Sequence, residues 1–304
     1  MGRIKQDWPA VALLTVMAAV GWGCGVKRTV EVPVPARIAE AKTAGLEELL
    51  TLMRERSDKV RSLSSASVKV TLTSGKVESG RLQEYRSAPG YVLLRRPDAI
   101  RLNVQNPISK TTILDMLSAG DEFSIWYPRE NRFYTGKNSI REFETDSGSE
   151  GGLLTARPAH LLNALLPNPF AAGEAGVRVA LEEEQDAGAK YYVLSLFREK
   201  GGHELQPLRR VWIERSQLVP VKEVYFTDEG SIASITSFSN FAPTEGLLLP
   251  LSVMMNRPAD GYSLNLQMKS WRVNPSLPAD AFVLTPPAGA EQVALKEKGK
   301  AGGI

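Results

Sequence analysis

The chain of 304 residues is long enough for one large domain or two small ones, and its composition, 43% hydrophobic and 23% charged, is typical of a protein with a buried core. The formal net charge of +3 is too small an excess to favour a nucleic-acid-binding protein. The single cysteine excludes an internal disulfide framework and a cysteine-rich zinc site.

The chain begins with the pattern of a secretory signal. Residues 1–7 are basic, and residues 8–23 form an uncharged, largely apolar stretch of 16 residues that ends in small side chains. This stretch is short for a membrane-spanning helix, which needs about 20 residues. We therefore predict a signal peptide over residues 1–23.

The only cysteine follows this stretch directly, an arrangement that resembles a bacterial lipoprotein signal. The resemblance implies cleavage before Cys24, a diacylglycerol on its thiol and an acylated amino terminus; several acyl chains together anchor a protein stably. Gly21 stands where the pattern usually has leucine, and Trp22 is bulky for its place. An uncleaved single-pass anchor and a soluble periplasmic product therefore stay open as alternatives. The residue after the cysteine is Gly25 and not aspartate, which by resemblance to enteric lipoproteins favours the outer membrane over the inner one.

Residues 24–37 are predicted to be an extended tether, because valine alternates with proline over 32–35, which favours stiff polyproline II. From Ile38 to Leu63 the pattern is that of one amphipathic helix, with charged residues between apolar ones at helical spacing. The apolar positions are Leu46, Leu49, Leu50, Met53 and Val60. Such a helix has to pack its apolar stripe against another part of the protein.

After the helix the apolar period falls to two. Residues 67–73 alternate strictly, with Val68, Val70 and Leu72 on one face of a predicted strand. More short runs of this kind follow, separated by turn signals such as Ala88-Pro89-Gly90. Because no helical pattern lies between these runs, we expect antiparallel pairing rather than βαβ units.

A leucine-rich segment over residues 153–170 interrupts the strands. Its leucines cover most of a helix circumference, and Pro158, Pro167 and Pro169 break it into short pieces. A helix this apolar needs an apolar surface beneath it. Strand patterns then resume, and the Lys- and Gly-rich residues 291–304 are predicted to be a disordered tail.

These patterns predict an α+β domain over residues 38–290. We expect a single antiparallel sheet of about 11 strands, too large to stay flat and therefore curled into an open half-barrel. The N-terminal helix and the short apolar helix are expected to cover its concave face as lids.

Five stretches, in order along the chain, carry a resemblance to a known family. They are "VRSLSSASVKVT" (60–71), "YVLLRRPDAIRLNV" (91–104), "LSAGDEFSIWYPRENRF" (117–133), "VWIERSQLVPVKEVYFTDEGSIASITSFSNF" (211–241) and "LPADAFVLTPPAGA" (277–290). Together they resemble the LolA/LolB-like family of periplasmic lipoprotein carriers and their outer-membrane receptors. The resemblance implies a half-barrel whose apolar cavity takes acyl chains.

The resemblance also implies roles for named residues. In carriers of this family the arginine of an Arg-Pro motif hydrogen-bonds to the lid and holds it closed; Arg96 before Pro97 matches it, with Ile100 as the neighbouring hydrophobe. The lid positions are Leu161, Leu162 and Leu165. The candidates to line the cavity are Leu72, Trp126, Tyr127, Tyr225 and Phe238. Cys24 makes the chain look like the anchored receptor, whereas "RRP" and "FVLTPP" look more like the soluble carrier.

The sequence offers no pattern that predicts catalysis. His160 is expected on the surface of the leucine-rich helix and His203 in a solvated turn, and neither has the spacing of a zinc site. No nucleophile elbow or phosphate-binding glycine loop is present. Residues 182–184, three glutamates, are read as a solvated strand edge, and Arg209-Arg210 as edge or gate residues. We expect no enzyme, no cofactor and no metal site.

The function expected from these features is that of a non-catalytic envelope lipoprotein that binds acyl chains of lipoproteins or lipids and acts in their transfer to the outer membrane. Its expected partners are an acylated lipoprotein or lipid, the membrane that holds its anchor, and other envelope transport components, but not nucleic acid. The alternative is a periplasmic sensor or adaptor that uses the same half-barrel to bind a protein partner.

Overall fold

The computed structural model describes residues 35–75, 83–140, 157–166 and 174–297. The predicted signal peptide, Cys24 and all but the end of the tether lie outside the described residues, as does the tail from residue 298 onward.

Three helices lie within the described residues: α1 (Ala36–Ala39), α2 (Leu46–Asp58) and α3 (Pro158–Leu165). The helix predicted over residues 38–63 is thus shorter than expected. It begins after Gly45 and ends at Asp58, and its first turn carries Glu47 and Glu48, which suit the positive end of a helix dipole.

The rest of the described chain is one sheet of fifteen strands. They are β1 (Ser62–Ser74), β2 (Gln83–Arg95), β3 (Ala99–Gln105), β4 (Thr112–Ala119), β5 (Glu122–Tyr127), β6 (Arg132–Lys137), β7 (Val177–Gln185), β8 (Lys190–Gly201), β9 (Glu204–Glu214), β10 (Val219–Phe226), β11 (Ile232–Thr244), β12 (Leu247–Arg257), β13 (Tyr262–Met268), β14 (Arg272–Val273) and β15 (Glu291–Ala294). A 3₁₀ turn, Pro128–Glu130, joins β5 to β6.

The order of the strands is β15-β6-β5-β4-β3-β2-β1-β13-β12-β11-β10-β9-β8-β7, with β14 also beside β1. Within β1–β6 and within β7–β13, neighbours along the chain pair as antiparallel hairpins, and β1 pairs with β13 to join the two meanders. The prediction of one large sheet with few helices is therefore confirmed. The expected count of about 11 strands was wrong, as was the wholly antiparallel pairing, because β15 runs parallel to β6.

Strand β15 also corrects the prediction of a disordered tail from residue 291. Its residues hydrogen-bond along the edge of β6, and the backbone N–H of Leu295 continues the ladder to the carbonyl oxygen of Thr135 at 2.8 Å. The Leu295 side chain is buried in the main core. An unpaired strand edge offers a row of free donors and acceptors, which explains why so short and polar a segment is ordered there.

The sheet curves around α3. This helix contacts β3, β4 and β12. Strands β4 and β12 are five positions apart in the sheet, which would put them about 24 Å apart if the sheet were flat. An eight-residue helix is only about 12 Å long and 10 Å across, so both strands reach it only because the sheet bends.

Two apolar clusters fill the concave face. The main cluster joins α3 to β1–β6, β12 and β13, and the second joins α2 to β8 and β9. In the second cluster Leu49 and Leu50 of α2 lie with Tyr192, Leu194 and Ile213. The predicted apolar stripe of the N-terminal helix thus packs on the sheet, as its amphipathic pattern requires.

The convex face is covered in part by the segment that precedes β15. Phe282 and Ala281 pack with Ala99 and Leu117 in a third, small cluster. Arg101 holds this cover in place, because its guanidinium donates to the carbonyl oxygen of Ala281 at 3.2 Å and forms an ion pair with Asp115.

Candidate ligand-binding cavity

A cavity of about 150 Å³ lies where α2, α3 and the concave face of the sheet meet. Apolar side chains make up most of its walls. Those lining residues are Met53, Val60, Leu63, Leu165, Leu166, Val211, Pro220, Phe238, Phe241, Leu248, Leu249 and Pro250. Ser57 and four charged residues, Arg56, Arg96, Arg209 and Glu223, complete the lining.

The part of the cavity wall formed by α2 is held in place by two arginines, Arg56 of the helix itself and Arg96 of the β2–β3 turn. Arg96 donates from Nε to the carbonyl oxygen of Val60 at 2.9 Å and from a terminal nitrogen to Ser57 Oγ at 2.8 Å. Arg56 donates to the carbonyl oxygen of Leu218 in the β9–β10 turn. Burial lowers the pKa of both guanidinium groups, and the nearby Asp58 partly offsets this for Arg96.

The α3 wall is the leucine-rich face of the helix. Leu165 and Leu166 line the cavity, while Leu161 and Leu162 lie buried in the main cluster beside it. His160 fastens the beginning of the helix, because its Nδ1 lies 2.9 Å from the hydroxyl oxygen of Tyr262 on β13. The expectation that His160 is a surface residue was therefore wrong: only 19% of its side chain is exposed.

The charged wall of the cavity is an ion pair between neighbouring strands. Arg209 of β9 donates to Glu223 Oε1 of β10 at 2.9 Å, and the two side chains retain 8% and 2% exposure. Burial lowers the pKa of Arg209, but the negative charge of Glu223 outweighs it and the net shift is upward. Burial and then the charge of Glu223 raise the pKa of Tyr225, whose ring lies 5.1 Å below the Arg209 guanidinium.

Some of the residues proposed from sequence line this cavity, and others lie near it. Arg96, Leu165 and Phe238 line it directly. The remaining inward-facing candidates are buried in the surrounding main cluster; they are Leu72, Ile100, Tyr127, Leu161 and Leu162. Pro97 is an exposed residue of the β2–β3 turn.

Of the five proposed lining residues only Phe238 lines the cavity, and Trp126 and Tyr225 belong neither to its lining nor to the main cluster. Trp126 lies between Ile125 and Tyr127, both of which point into the core, so the alternation of strand β5 turns Trp126 to the other face. Tyr225 does face inward, but it packs under Arg209 beside the cavity instead of bordering it.

The Arg209–Glu223 pair is not predicted from the sequence, where Arg209-Arg210 are expected to be edge or gate residues. Strand β9 is an interior strand, and Arg209 is in phase with Val211 and Ile213, which are fully buried. The signal was therefore present as a charged residue in register with an apolar stripe. Arg210, the next residue, points to the opposite face and donates to Ser195 Oγ at 2.9 Å. The reading of residues 182–184 was correct, since they are exposed on β7, an edge of the sheet.

Among the described residues no group of three or more His, Cys, Asp or Glu is placed to hold a metal ion. No described helix combines the length and the apolar character needed to cross a bilayer.

No protein-family model and no curated protein matches this sequence. Among solved structures the chain is similar to a DUF1329 family protein from Desulfovibrio piger ATCC 29098, with a TM-score of 0.50 and 14% identity over 77% of this chain and 94% of that one. It is also similar to a LolA superfamily protein from Nitrosomonas europaea, with a TM-score of 0.46 and 17% identity over 77% of this chain and 97% of that one. A domain from Vibrio parahaemolyticus described as an outer membrane lipoprotein-sorting protein has a TM-score of 0.46 and 16% identity over 79% of this chain and 97% of that one. The similarity to each of them concerns the fold alone.

Proposed function

We propose that this protein binds acyl chains of lipoproteins or lipids in the cavity between α2 and α3, without catalysing a reaction on them. The observation that carries the proposal is a cavity whose walls come from two separate helices and five strands and are largely apolar. Transfer of an acyl chain from water into such a site gains about 0.8 kcal/mol per buried CH₂ group.

The size of the cavity indicates that α3 moves when cargo binds. A volume of about 150 Å³ matches cavities of roughly 150 Å³ that hold one benzene molecule. A complete acyl chain is several times longer than a benzene ring. The leucines of α3 pack in the hollow, which supports a closed state in which α3 serves as the lid.

The lid is well suited to exchange its own apolar contacts for those of a cargo. It is a helix of eight residues, too short to be stable in water by itself, so its order depends on the packing of Leu161, Leu162 and Leu165. When an acyl chain takes the place of these leucines, apolar surface buried by the protein is replaced by apolar surface buried by the cargo. Such a balance lets a small difference in lid energy determine whether cargo is taken up or released.

We further propose that Cys24 is lipidated and that the anchored domain faces the periplasm, at the outer membrane in preference to the inner one. The supports are the basic start, the short apolar stretch and the cysteine directly after it. An anchored acyl-binding domain fits a role in lipoprotein sorting or lipid transfer to the outer membrane, where it would receive cargo from other envelope components.

Native mass spectrometry of the full chain, extracted gently from its own envelope, tests both proposals. We expect an acylated Cys24 and a bound amphiphile. The Cys24→Ser variant should lose the mass of the lipid anchor and leave the membrane fraction. An empty cavity together with a co-purified membrane protein would instead support the sensor or adaptor.

A cavity-filling variant tests the location of the site. Leu249→Trp places a larger side chain in the cavity wall and should reduce acyl-chain binding at least tenfold, because the added ring takes up the space of the chain. Val283→Trp, at an exposed position outside the cavity, is the matched control and should bind normally. Equal binding by both variants would place the acyl chain elsewhere.

A further inference from the structure

The buried ion pair between Arg209 and Glu223 is unusual for a cavity whose walls are largely apolar. Arg209 and Glu223 lie between the two apolar clusters of the concave face and border the cavity. Removing two charges from water is costly, and replacing a buried pair by apolar residues of similar volume is often neutral or stabilising. The pair is therefore not what a sequence selected for stability alone would place at this position.

One oxygen of the Glu223 carboxylate has no hydrogen bond. Oε1 accepts from Arg209, and the Tyr225 hydroxyl also interacts with this carboxylate, whereas Oε2 is buried and has no hydrogen-bond partner among the described residues. Buried carboxylate oxygens are strong acceptors, and leaving one without a donor is expensive. Glu223 is thus a buried acceptor at the border of a cavity that we propose to hold cargo.

A second ion pair in the same sheet shows what a purely structural pair looks like here. Arg101 and Asp115, on the convex face, form two hydrogen bonds of 3.1 and 2.9 Å, so that both oxygens of the carboxylate are used. The same guanidinium also donates to the carbonyl oxygens of Ala281 and Val283. The incomplete bonding of Glu223 therefore sets the cavity pair apart.

We infer that Glu223 Oε2 accepts a hydrogen bond from the head of the bound acyl ligand, so that the cavity selects acyl chains whose linkage carries an N–H or O–H donor over chains that lack one. This inference rests on the proposed function and names the ligand class of the same cavity. In the structure Oε2 is buried at the border of the cavity; it becomes the available acceptor when the chain enters. Arg209 positions the carboxylate and offsets its charge.

The chemistry of the acceptor limits the ligand. A carboxylate oxygen repels an anionic head and gains nothing from an ester, which has acceptors only. An amide-linked acyl chain supplies an N–H donor next to the chain, and a hydroxyl near the chain supplies an O–H donor. A hydrogen bond to a charged group is about twice as strong as one between neutral groups, and the low local dielectric strengthens it further.

The test uses the full-length protein and matched probes: N-methyldecanamide, which has the N–H donor, and methyl decanoate, which has the same shape without it. We expect the affinity ratio of amide to ester to fall about tenfold from the wild type to the double variant Arg209→Met/Glu223→Leu, measured by isothermal titration calorimetry. The variant should still bind the ester, because its cavity becomes more apolar. N,N-dimethyldecanamide, which keeps the carbonyl but lacks the N–H, should behave like the ester.

Two further variants make the result interpretable. Arg101→Met/Asp115→Leu removes the convex-face pair and should leave the amide-to-ester ratio unchanged. Glu223→Gln keeps the shape of the side chain but removes its charge, and it should also lower the amide-to-ester ratio. This variant provides the test if the double variant does not fold.

The possible failures of the two proposals are distinguishable. If the wild type binds both probes and the ratio is the same in the wild type and in both Glu223 variants, the inference on Glu223 is overturned while the acyl-binding function stands. If the folded wild type binds none of the probes, the proposed function fails and this inference fails with it.

Discussion

Arg96 joins the β2–β3 turn to the end of α2, because its Nε donates to the carbonyl oxygen of Val60 at a distance of 2.9 Å. A second bond from the same guanidinium reaches Ser57 Oγ. The resemblance to lipoprotein carriers assigns the matching arginine to the lid. In this chain the bonds described here run to α2, and the side chain also borders the cavity beside Leu165 of α3.

The Arg96→Met variant should therefore loosen the end of α2. Loss of the two hydrogen bonds is expected to cost about 1–3 kcal/mol of unfolding free energy, and amide hydrogen exchange should accelerate around residues 56–62. Arg95→Met is the control, since Arg95 stacks on Phe282 at the convex face. If exchange in α3 and lipid transfer are both unchanged in the Arg96 variant, the residue has no role in holding the lid.

Acidification should release the beginning of α3. Burial lowers the pKa of His160 well below its ordinary value of 6.5, and the charges of Arg257 and Arg157 add to this effect, although Asp260 lies 4.0 Å away. The docked helix thus disfavours the protonated imidazole. The docked state should therefore become less stable relative to the undocked state as the pH drops below about 6.5.

Hydrogen exchange of α3 at pH 7.5 and pH 5 measures this dependence. The side chain in the His160→Gln variant does not titrate, so the protection factors of the α3 amides should be the same at the two pH values. His203→Gln, in the exposed β8–β9 turn, should keep the difference between the two pH values. The same pH dependence in both variants would show that another group is responsible.

Leu161 should decide how firmly the lid is docked. Its side chain is 1% exposed in the main cluster, so Leu161→Ala removes buried methyl groups at a cost of about 2–5 kcal/mol. If α3 undocks independently, as proposed, exchange in α3 should become faster with a smaller change in global denaturant unfolding. Asn163→Ala, on the exposed side of the same helix, is the control. If the global unfolding free energy falls by the whole of this cost, α3 unfolds only together with the sheet.

Strand β15 should contribute measurably to stability despite its length. Leu295 packs in the main core, next to Gly136, where a Cβ atom would meet the ring of Phe123 at 2.7 Å. Leu295→Ala is expected to lower the unfolding free energy by about 2 kcal/mol, the lower end of the range for buried leucines, because the site is at the sheet edge. Lys296→Ala, with an exposed side chain, should change little. Urea unfolding compares the two, and equal midpoints would show that β15 does not hold the edge.

The alternation of side chains along a strand predicts which residues face the cavity, and in β5 and β9 it contradicts two assignments that were made from residue type. In β5 the residues Phe123, Ile125 and Tyr127 face the core, which already places Trp126 on the opposite face. In β9 the same rule places Arg209 beside Val211. Each of these errors came from weighing a residue's chemistry without its phase in the strand.

The sequence by itself determined the local structure: which runs are strands, which leucine-rich segment is a helix, and which residues of each face inward. Periodicity is a property of neighbouring residues, so it can be read directly from their order. Only the tertiary structure decided that β15 closes along β6, that α2 and α3 lie over different parts of one curved sheet, and that Arg209 and Glu223 meet at a cavity. These are contacts between residues distant in the chain, and they depend on strand order and curvature, which local periodicity does not specify.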